Sequence, residues 1–375
     1  MIKKGAILII FILLAVGGWM WYQNRESEPT ILKIGVISPL TGSLSTFGVS
    51  IRNGAAMAVN DFNNAHDDFK IELIVRNNEG EKEKTEQIAK EFMDNPEILA
   101  IIGPLISSNT LTAGQMAQTE KIVLITPTAT SPKISNLGNY VFRTCASDLE
   151  QGRDVANFMI EEGYGEVGVI YQEDETYSSD LAEVFMEEMQ GKGIEAFPVL
   201  TYQKDASDFS QQIAEIEQEE PEIIFGPGYP SELTVFIQQL REKGLNDIQF
   251  IGGDGITNED YIKFGGEAVE GTFGNTLFDS SNPDPLVQKA AKRYEDLYQT
   301  KIDWMAAHSY DALNILAEAI LESKNKERSE IRDLVAQTKD YRGVSGEITF
   351  DENGDPAGKK YIKLQVQDGE WIFYK

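Results

Sequence analysis

From Ile31 onward, short apolar runs alternate with longer stretches whose apolar residues recur at helical spacing. LKIGVIS (32–38) reads as a strand buried on both faces. The stretch 48–63 reads as a helix with Ile51, Ala55, Ala58, Val59 and Phe62 along one stripe. KIELIVR (70–76) predicts the next strand and 82–94 a charged amphipathic helix. A strand at 99–103, a helix at 107–120, a strand at 123–126 and an extended segment at 140–144 follow. The alternation then begins again, with strands at 166–171, 195–200, 222–226 and 249–252 and helices at 179–192, 209–218 and 231–243 between them. Short, continuously apolar strands are those of a parallel sheet covered on both faces. Their alternation with helices is the pattern of an α/β doubly wound sheet, and two successive runs predict two such domains.

After Gly271 the rhythm changes. Three helices are predicted at 285–298, 306–323 and 329–337, and the chain ends in extended segments at 346–350, 360–367 and 371–374, an antiparallel finish. DENGD at 351–355 has the spacing that opens a calcium loop. The twelfth position counted from Asp351 is Ile362, however, where such a loop needs a glutamate. Asn353 followed by Gly354 predicts a hairpin turn instead.

Composition narrows the partners. The 375 residues carry a formal charge of −28. Lys3, Lys4 and Arg25 against Glu26 and Glu28 give the first thirty residues +1, so the remainder carries −29. Nucleic acid and anionic membrane surfaces would be repelled. Cys145 is the single cysteine, which excludes an internal disulfide. His66 and His308 are the only histidines, so no zinc site and no other metal centre is expected. The uncharged run from Gly5 to Tyr22 follows Lys3 and Lys4, which places the rest of the chain outside the cytoplasm. No small-residue cleavage site follows it, no cysteine follows to accept a lipid, and Trp19, Trp21 and Tyr22 resemble an interfacial belt. A retained anchor is therefore expected rather than a cleaved signal peptide.

In open α/β sheets ligands sit beyond the carboxyl ends of the strands, which directs attention to the strand-to-helix junctions. GPLISSNT (103–110) opens a helix at Ser107 or Ser108, and free amides with a hydroxyl there suit an anion. A plain serine N-cap is the competing explanation. TPTATSP (126–132) follows the next strand with a run of hydroxyls, and adjacency in one sheet would set it beside the first loop. In the second half, Tyr177 and Tyr229 stand at two junctions, suited to flat apolar contact with one hydrogen bond. Asp254 lies among glycines in GGDGI (252–256), where it can pair with an ammonium or cap the next helix in competition with Thr257 and Asn258. Donors from one half and a carboxylate with aromatic rings from the other complement a zwitterionic α-amino acid.

The series IGVISPLTGSLSTFGVSIRNGAAMAVNDFN, IIGPLISSNT, ITPTATSP, YVFRT with QGRDVANF, GYPSE and GEITFDENGDPAGK, in this order, resembles the type I periplasmic binding proteins of ABC transporters, in the leucine/isoleucine/valine-binding branch. The resemblance spans roughly Ile31 to Trp371. It implies two Rossmann-like lobes joined by a three-crossover hinge, with lobe 1 at 31–147 plus 277–360 and lobe 2 at 148–276 plus 361–375. It implies a ligand held by Ser107 with its neighbour Ser108, by Ala129 and Thr130, by Tyr177 and Tyr229, and by Asp254 where the branch has a glutamate. Phe47 would wall the side-chain pocket. The branch's disulfide is absent, since Ile106 replaces one partner. The implied protein is a monomer without cofactor that closes around its ligand, an amino acid or a related small carboxylate or amide, and meets the transporter's membrane subunits. A receptor ectodomain on the same fold, acting through a separate signalling partner, is the alternative. No nucleophile elbow, Walker loop or dinucleotide fingerprint is present, so an enzyme is not expected.

Overall fold

The computed structural model describes residues 28–374, which form two α/β lobes. The N-terminal run read as an anchor lies outside the described residues. Among the described residues, no helix is long and apolar enough to cross a membrane.

The first lobe is built on five parallel strands: β1 (Thr30–Ser38), β2 (Phe69–Asn77), β3 (Ile98–Ile102), β4 (Val123–Thr126) and β5 (Val141–Arg143), in the order β2-β1-β3-β4-β5. The period of two along each strand sends alternate side chains to opposite faces. Ile34 and Val36 enter one core while Ile37 enters another, and Val123 and Ile125 part from Leu124 in the same way. Both faces are therefore covered, which accounts for the apolar runs of β3 and β4, while β2 at the sheet's edge keeps Lys70, Glu72 and Arg76. Helices α1 (Ser45–Ala65), α2 (Lys82–Asp94) and α3 (Ser107–Glu120) connect these strands.

The chain then builds a second sheet from β6 (Val167–Gln172), β7 (Val199–Tyr202), β8 (Ile223–Gly226), β9 (Gln249–Gly252) and β10 (Phe273–Thr276). Helices α4 (Asp148–Glu161), α5 (Thr176–Gly191), α6 (Ser210–Glu219), α7 (Pro230–Glu242) and α8 (Glu259–Gly265) lie between or before them. Helices α9 (Pro285–Tyr298), α10 (Trp304–Glu322) and α11 (Arg328–Ala336) follow, and α10 packs on α1 of the first lobe. A small ribbon pairs β11 (Tyr341–Gly343) with β12 (Gly346–Ile348). β13 (Ile362–Gln367) and β14 (Glu370–Phe373) then add antiparallel strands to the second sheet, in the order β14-β13-β10-β9-β8-β6-β7. The chain thus passes between the lobes three times.

Two local differences from the sequence pattern have clear causes. The strand expected at 195–200 forms at Val199–Tyr202, because Pro198 has no N–H to give to a ladder. Helix α5 begins at Thr176, three residues earlier than the apolar spacing indicates, because Glu175 caps it by accepting from the Ser178 amide at 3.2 Å. The DENGD segment is a turn in which Asp351 Oδ1 accepts from the amides of Asn353 (2.8 Å) and Asp355 (3.0 Å).

The contact between α1 and α10 fixes the start of α10, which borders the site described below. Gly54 lies so close to α10 that a Cβ there would stand 2.1 Å from the Ala306 carbonyl oxygen. Gly54→Ala is expected to separate the helices and cost about 1–3 kcal/mol, read as a lower urea midpoint. An unchanged midpoint would show that this contact is not tight.

Candidate functional site

Between the lobes lies a small cavity that opens to solvent. Phe47, Leu105, Ile106, Ser107, Thr128, Trp304 and Met305 of the first lobe and Tyr177, Tyr229, Asp254 and Gly255 of the second line it.

On the first lobe, the turn after β3 is set by Gly103 at φ +94, where a Cβ would meet the Ile37 carbonyl oxygen at 2.2 Å. The N-cap of α3 is Ile106, which offers no side-chain acceptor, so the first-turn amides have no side-chain cap. Ser107 occupies the first helical position and is not the N-cap. Its Oγ accepts from the Ser131 amide at 3.2 Å, which leaves its hydroxyl proton available to an anion.

The neighbouring hydroxyl loop is largely occupied with its own architecture. Thr126 Oγ1 donates to the Pro104 carbonyl (2.9 Å) and accepts from the Ala129 amide (3.1 Å), and Thr128 Oγ1 donates to the Leu105 carbonyl (2.8 Å). Arg143 is fully buried beneath the loop. It donates to the carbonyls of Thr130 (2.9 Å) and Ser131 (3.0 Å) and pairs with both oxygens of Asp355 at 2.7 Å.

Three residues named from the sequence lie outside the cavity wall. Ala129 gives its amide to Thr126 Oγ1, and Thr128, one residue earlier, is in the wall. Thr130 turns its hydroxyl to Asp148 Oδ2 at 2.9 Å, and Ser108 donates across the lobes to Glu175 Oε1 at 3.1 Å. Neither is a cavity-lining residue. Phe47, Ser107, Tyr177, Tyr229 and Asp254 do share the cavity.

On the second lobe, Tyr177 in the first turn of α5 and Tyr229 at the N-cap of α7 have ring centroids 5.5 Å apart, and Phe47 lies 6.3 Å from Tyr229. Tyr177 donates its hydroxyl to Asp254 Oδ1 at 2.8 Å. Gln151 holds Asp254 twice: its Nε2 is 3.1 Å from Oδ1 and its Oε1 accepts from the Asp254 amide at 2.8 Å. The cap of α8 falls to Asn258, which accepts from the Tyr261 amide at 3.0 Å, so Asp254 is free of that duty. Asp254 Oδ2 is buried and has no hydrogen-bond partner among the described residues. Gln151 Nε2 also reaches Asp148 Oδ1 at 3.0 Å, so two buried carboxylates share one amide. Burial pushes both carboxyls up, Asp254 to about 6, and raises Glu175 to about 7.

The lobes also meet at the rim. Ser131 Oγ donates to Asp180 Oδ2 (2.5 Å), Lys133 pairs with Asp180 (2.6 Å), and Lys204 pairs with Glu81 (3.2 Å).

Residues 31–370 match the family model of the periplasmic binding proteins. The chain belongs to that family. Among its relatives, a Leu/Ile/Val-binding protein homolog 1 of Brucella melitensis biotype 1 is 26% identical, over 95% of this chain and 94% of its own. The leucine-, isoleucine-, valine-, threonine-, and alanine-binding protein of Pseudomonas aeruginosa is 23% identical, over 94% of each. Of solved structures, the leucine-binding protein LivK of Thermotoga maritima superposes with a TM-score of 0.86 at 28% identity, over 92% of this chain and 98% of that one. The branched-chain amino acid transporter substrate-binding protein LivJ of Streptococcus pneumoniae, crystallised with isoleucine, gives 0.84 at 25% identity, over 92% and 100%. The fold of this periplasmic binding protein is therefore the two-lobed type I fold that the sequence series implied. Membership implies an extracytoplasmic location.

Sequence reasoning missed Leu105, Ile106, Thr128, Gly255, Trp304 and Met305 as wall residues of this periplasmic binding protein. The position of Trp304 and Met305 at the start of a helix carried no chemical signal, since apolar residues there read as core.

The buried carboxyls generate a prediction. An ordinary carboxylate in the unfolded chain titrates near pH 4. A group raised in the folded state binds its proton more tightly there, so its contribution to stability falls as pH rises from about 4 through its folded value. Asp254→Asn removes that penalty. It is expected to raise the ligand-free melting temperature at pH 8 by the equivalent of roughly 1–3 kcal/mol, with the gap to the wild type narrowing at pH 5. A variant less stable than the wild type at pH 8 would contradict the burial argument. His308, whose burial lowers its pKa and so opposes the trend in acid, is common to both proteins.

Proposed function

We propose that this protein captures an α-amino acid as its zwitterion in the interlobe cavity and delivers it to the membrane subunits of an ABC transporter. The observation that carries the reading is Asp254. A buried carboxylate without a cationic partner is costly, and Asp254 is held by Gln151 and Tyr177 through one oxygen while the other stays unpaired. A ligand ammonium would complete it. The ligand's carboxylate would be met by the Ser107 hydroxyl and the uncapped amides of α3. Phe47, Leu105 and Met305 offer apolar contact to a compact side chain. Relatives named for binding leucine, isoleucine and valine, and the LivJ structure with isoleucine, support this choice of ligand class.

The acceptor and the donors stand on different lobes, so the ligand bridges them. We place the hinge near residues 147, 276 and 360, where the chain crosses. Ligand occupancy would favour the closed form with its rim contacts, and the transporter would read that form. Binding without chemical change of the ligand follows from this reading.

A screen of the twenty amino acids by thermal shift tests it, since a bound ligand raises the melting temperature by mass action. Asp254→Asn is expected to weaken amino-acid binding by more than about 30-fold, the lower end of the ~2–5 kcal/mol lost when one partner of a buried charge pair is removed. Equal affinity in the variant would refute the role given to Asp254, and no shift with any amino acid would refute the ligand class. Since the ammonium needs the ionised carboxylate, affinity in the wild type should fall about tenfold per pH unit below about 6. Isothermal titration between pH 5 and pH 8 measures this, and a flat profile would count against proton competition at the site.

A further inference from the structure

The cavity wall contains a second residue with an unpaired polar atom, on the first lobe. Trp304 forms part of the wall and is 4% exposed. It opens α10, whose N-cap Asp303 accepts from the Ala306 amide at 2.8 Å and from the Ser50 hydroxyl at 2.5 Å, so the first turn is firmly placed. The Trp304 carbonyl is bonded to His308 Nδ1 at 2.7 Å, and the imidazole packs edge-on against the indole at 5.9 Å. The indole Nε1–H is buried and finds no acceptor among the described residues. An indole nitrogen only donates, and a buried donor left unpaired costs more than the bond would contribute. Its neighbours in the wall, Phe47, Leu105 and Met305, bring no side-chain oxygen. Phenylalanine would give the same apolar contact without the unpaired N–H.

We propose that Trp304 is a specificity-determining residue whose indole N–H takes its acceptor from the ligand's side chain. The inference rests on the amino-acid reading above and sharpens it. The preferred ligands are compact α-amino acids bearing a side-chain hydroxyl, ahead of hydrocarbon side chains of the same shape. Threonine and valine are the deciding pair, because they differ by a hydroxyl in place of a methyl. A wall that hydrogen-bonds a hydroxyl rejects the analogue that leaves its donor unpaired.

The test is a cycle of two ligands and two proteins, with the full-length chain and its Trp304→Phe variant titrated calorimetrically with threonine and valine. Threonine is expected to bind the wild type about tenfold more tightly than valine. In Trp304→Phe the ratio should fall to one or below, mainly through a loss for threonine, since the donor is unpaired in the free protein and in the valine complex alike. A ratio that Trp304→Phe leaves unchanged overturns the proposal while the amino-acid reading stands. It would assign the indole N–H to another partner, such as a water shared with the unpaired Nε2 of His308. Failure of the wild type to bind either amino acid overturns this proposal, while the amino-acid reading falls only if none of the twenty gives a thermal shift. Should the variant not fold, the indole ¹H–¹⁵N resonance of Trp304 in the wild-type protein decides. Threonine must shift it downfield relative to valine, and equal shifts reject the role.

Discussion

The arrangement depends on a carboxylate kept where it is badly solvated. Asp254 could relieve its burial by turning toward an additional donor, but Gln151 holds both its backbone amide and one oxygen, and Tyr177 holds the same oxygen. The second oxygen is left unpaired by construction. The apolar cores on both faces of each sheet supply the stability that tolerates this. The Ser107 hydroxyl and the uncapped amides of α3 stand on the other lobe, so under the proposed reading neither half alone would satisfy both ends of a zwitterion.

The rim contacts complement this division. Glu175 caps α5 within its own lobe and accepts from Ser108 of the other, so the residue that defines the start of a helix also registers the approach of its neighbour. Asp180 plays a similar part for Ser131 and Lys133. None of these residues lines the cavity. They contribute to holding the two halves together without touching what lies between them.

Much of this was legible in the chain. The parallel strands were evident because burial on both faces leaves few polar positions to blur the run, as in β3 and in residues 123–125 of β4. The junction rule led to Ser107, Tyr177, Tyr229 and Asp254, since each stands where a strand hands over to a helix. The hydroxyl loop was harder. TPTATSP advertises donors, but composition cannot say which are consumed internally, as the Ala129 amide is by Thr126 Oγ1. Ser108 and Thr130 likewise hydrogen-bond partners distant in sequence, Glu175 and Asp148, which the loop's composition could not reveal. Trp304 was invisible for a different reason. An aromatic residue opening an apolar helix looks like core until its ring is found beside a cavity.

Arg143 joins the loop that borders the cavity to the turn at Asp355, and that turn lies only twenty residues from the end of the 375-residue chain. A guanidinium at the bottom of a sheet cannot stay there without its counter-charge. Loss of the Asp355 carboxylate would therefore leave an orphan cation under the loop that borders the cavity, and would loosen that loop from 212 residues away in sequence.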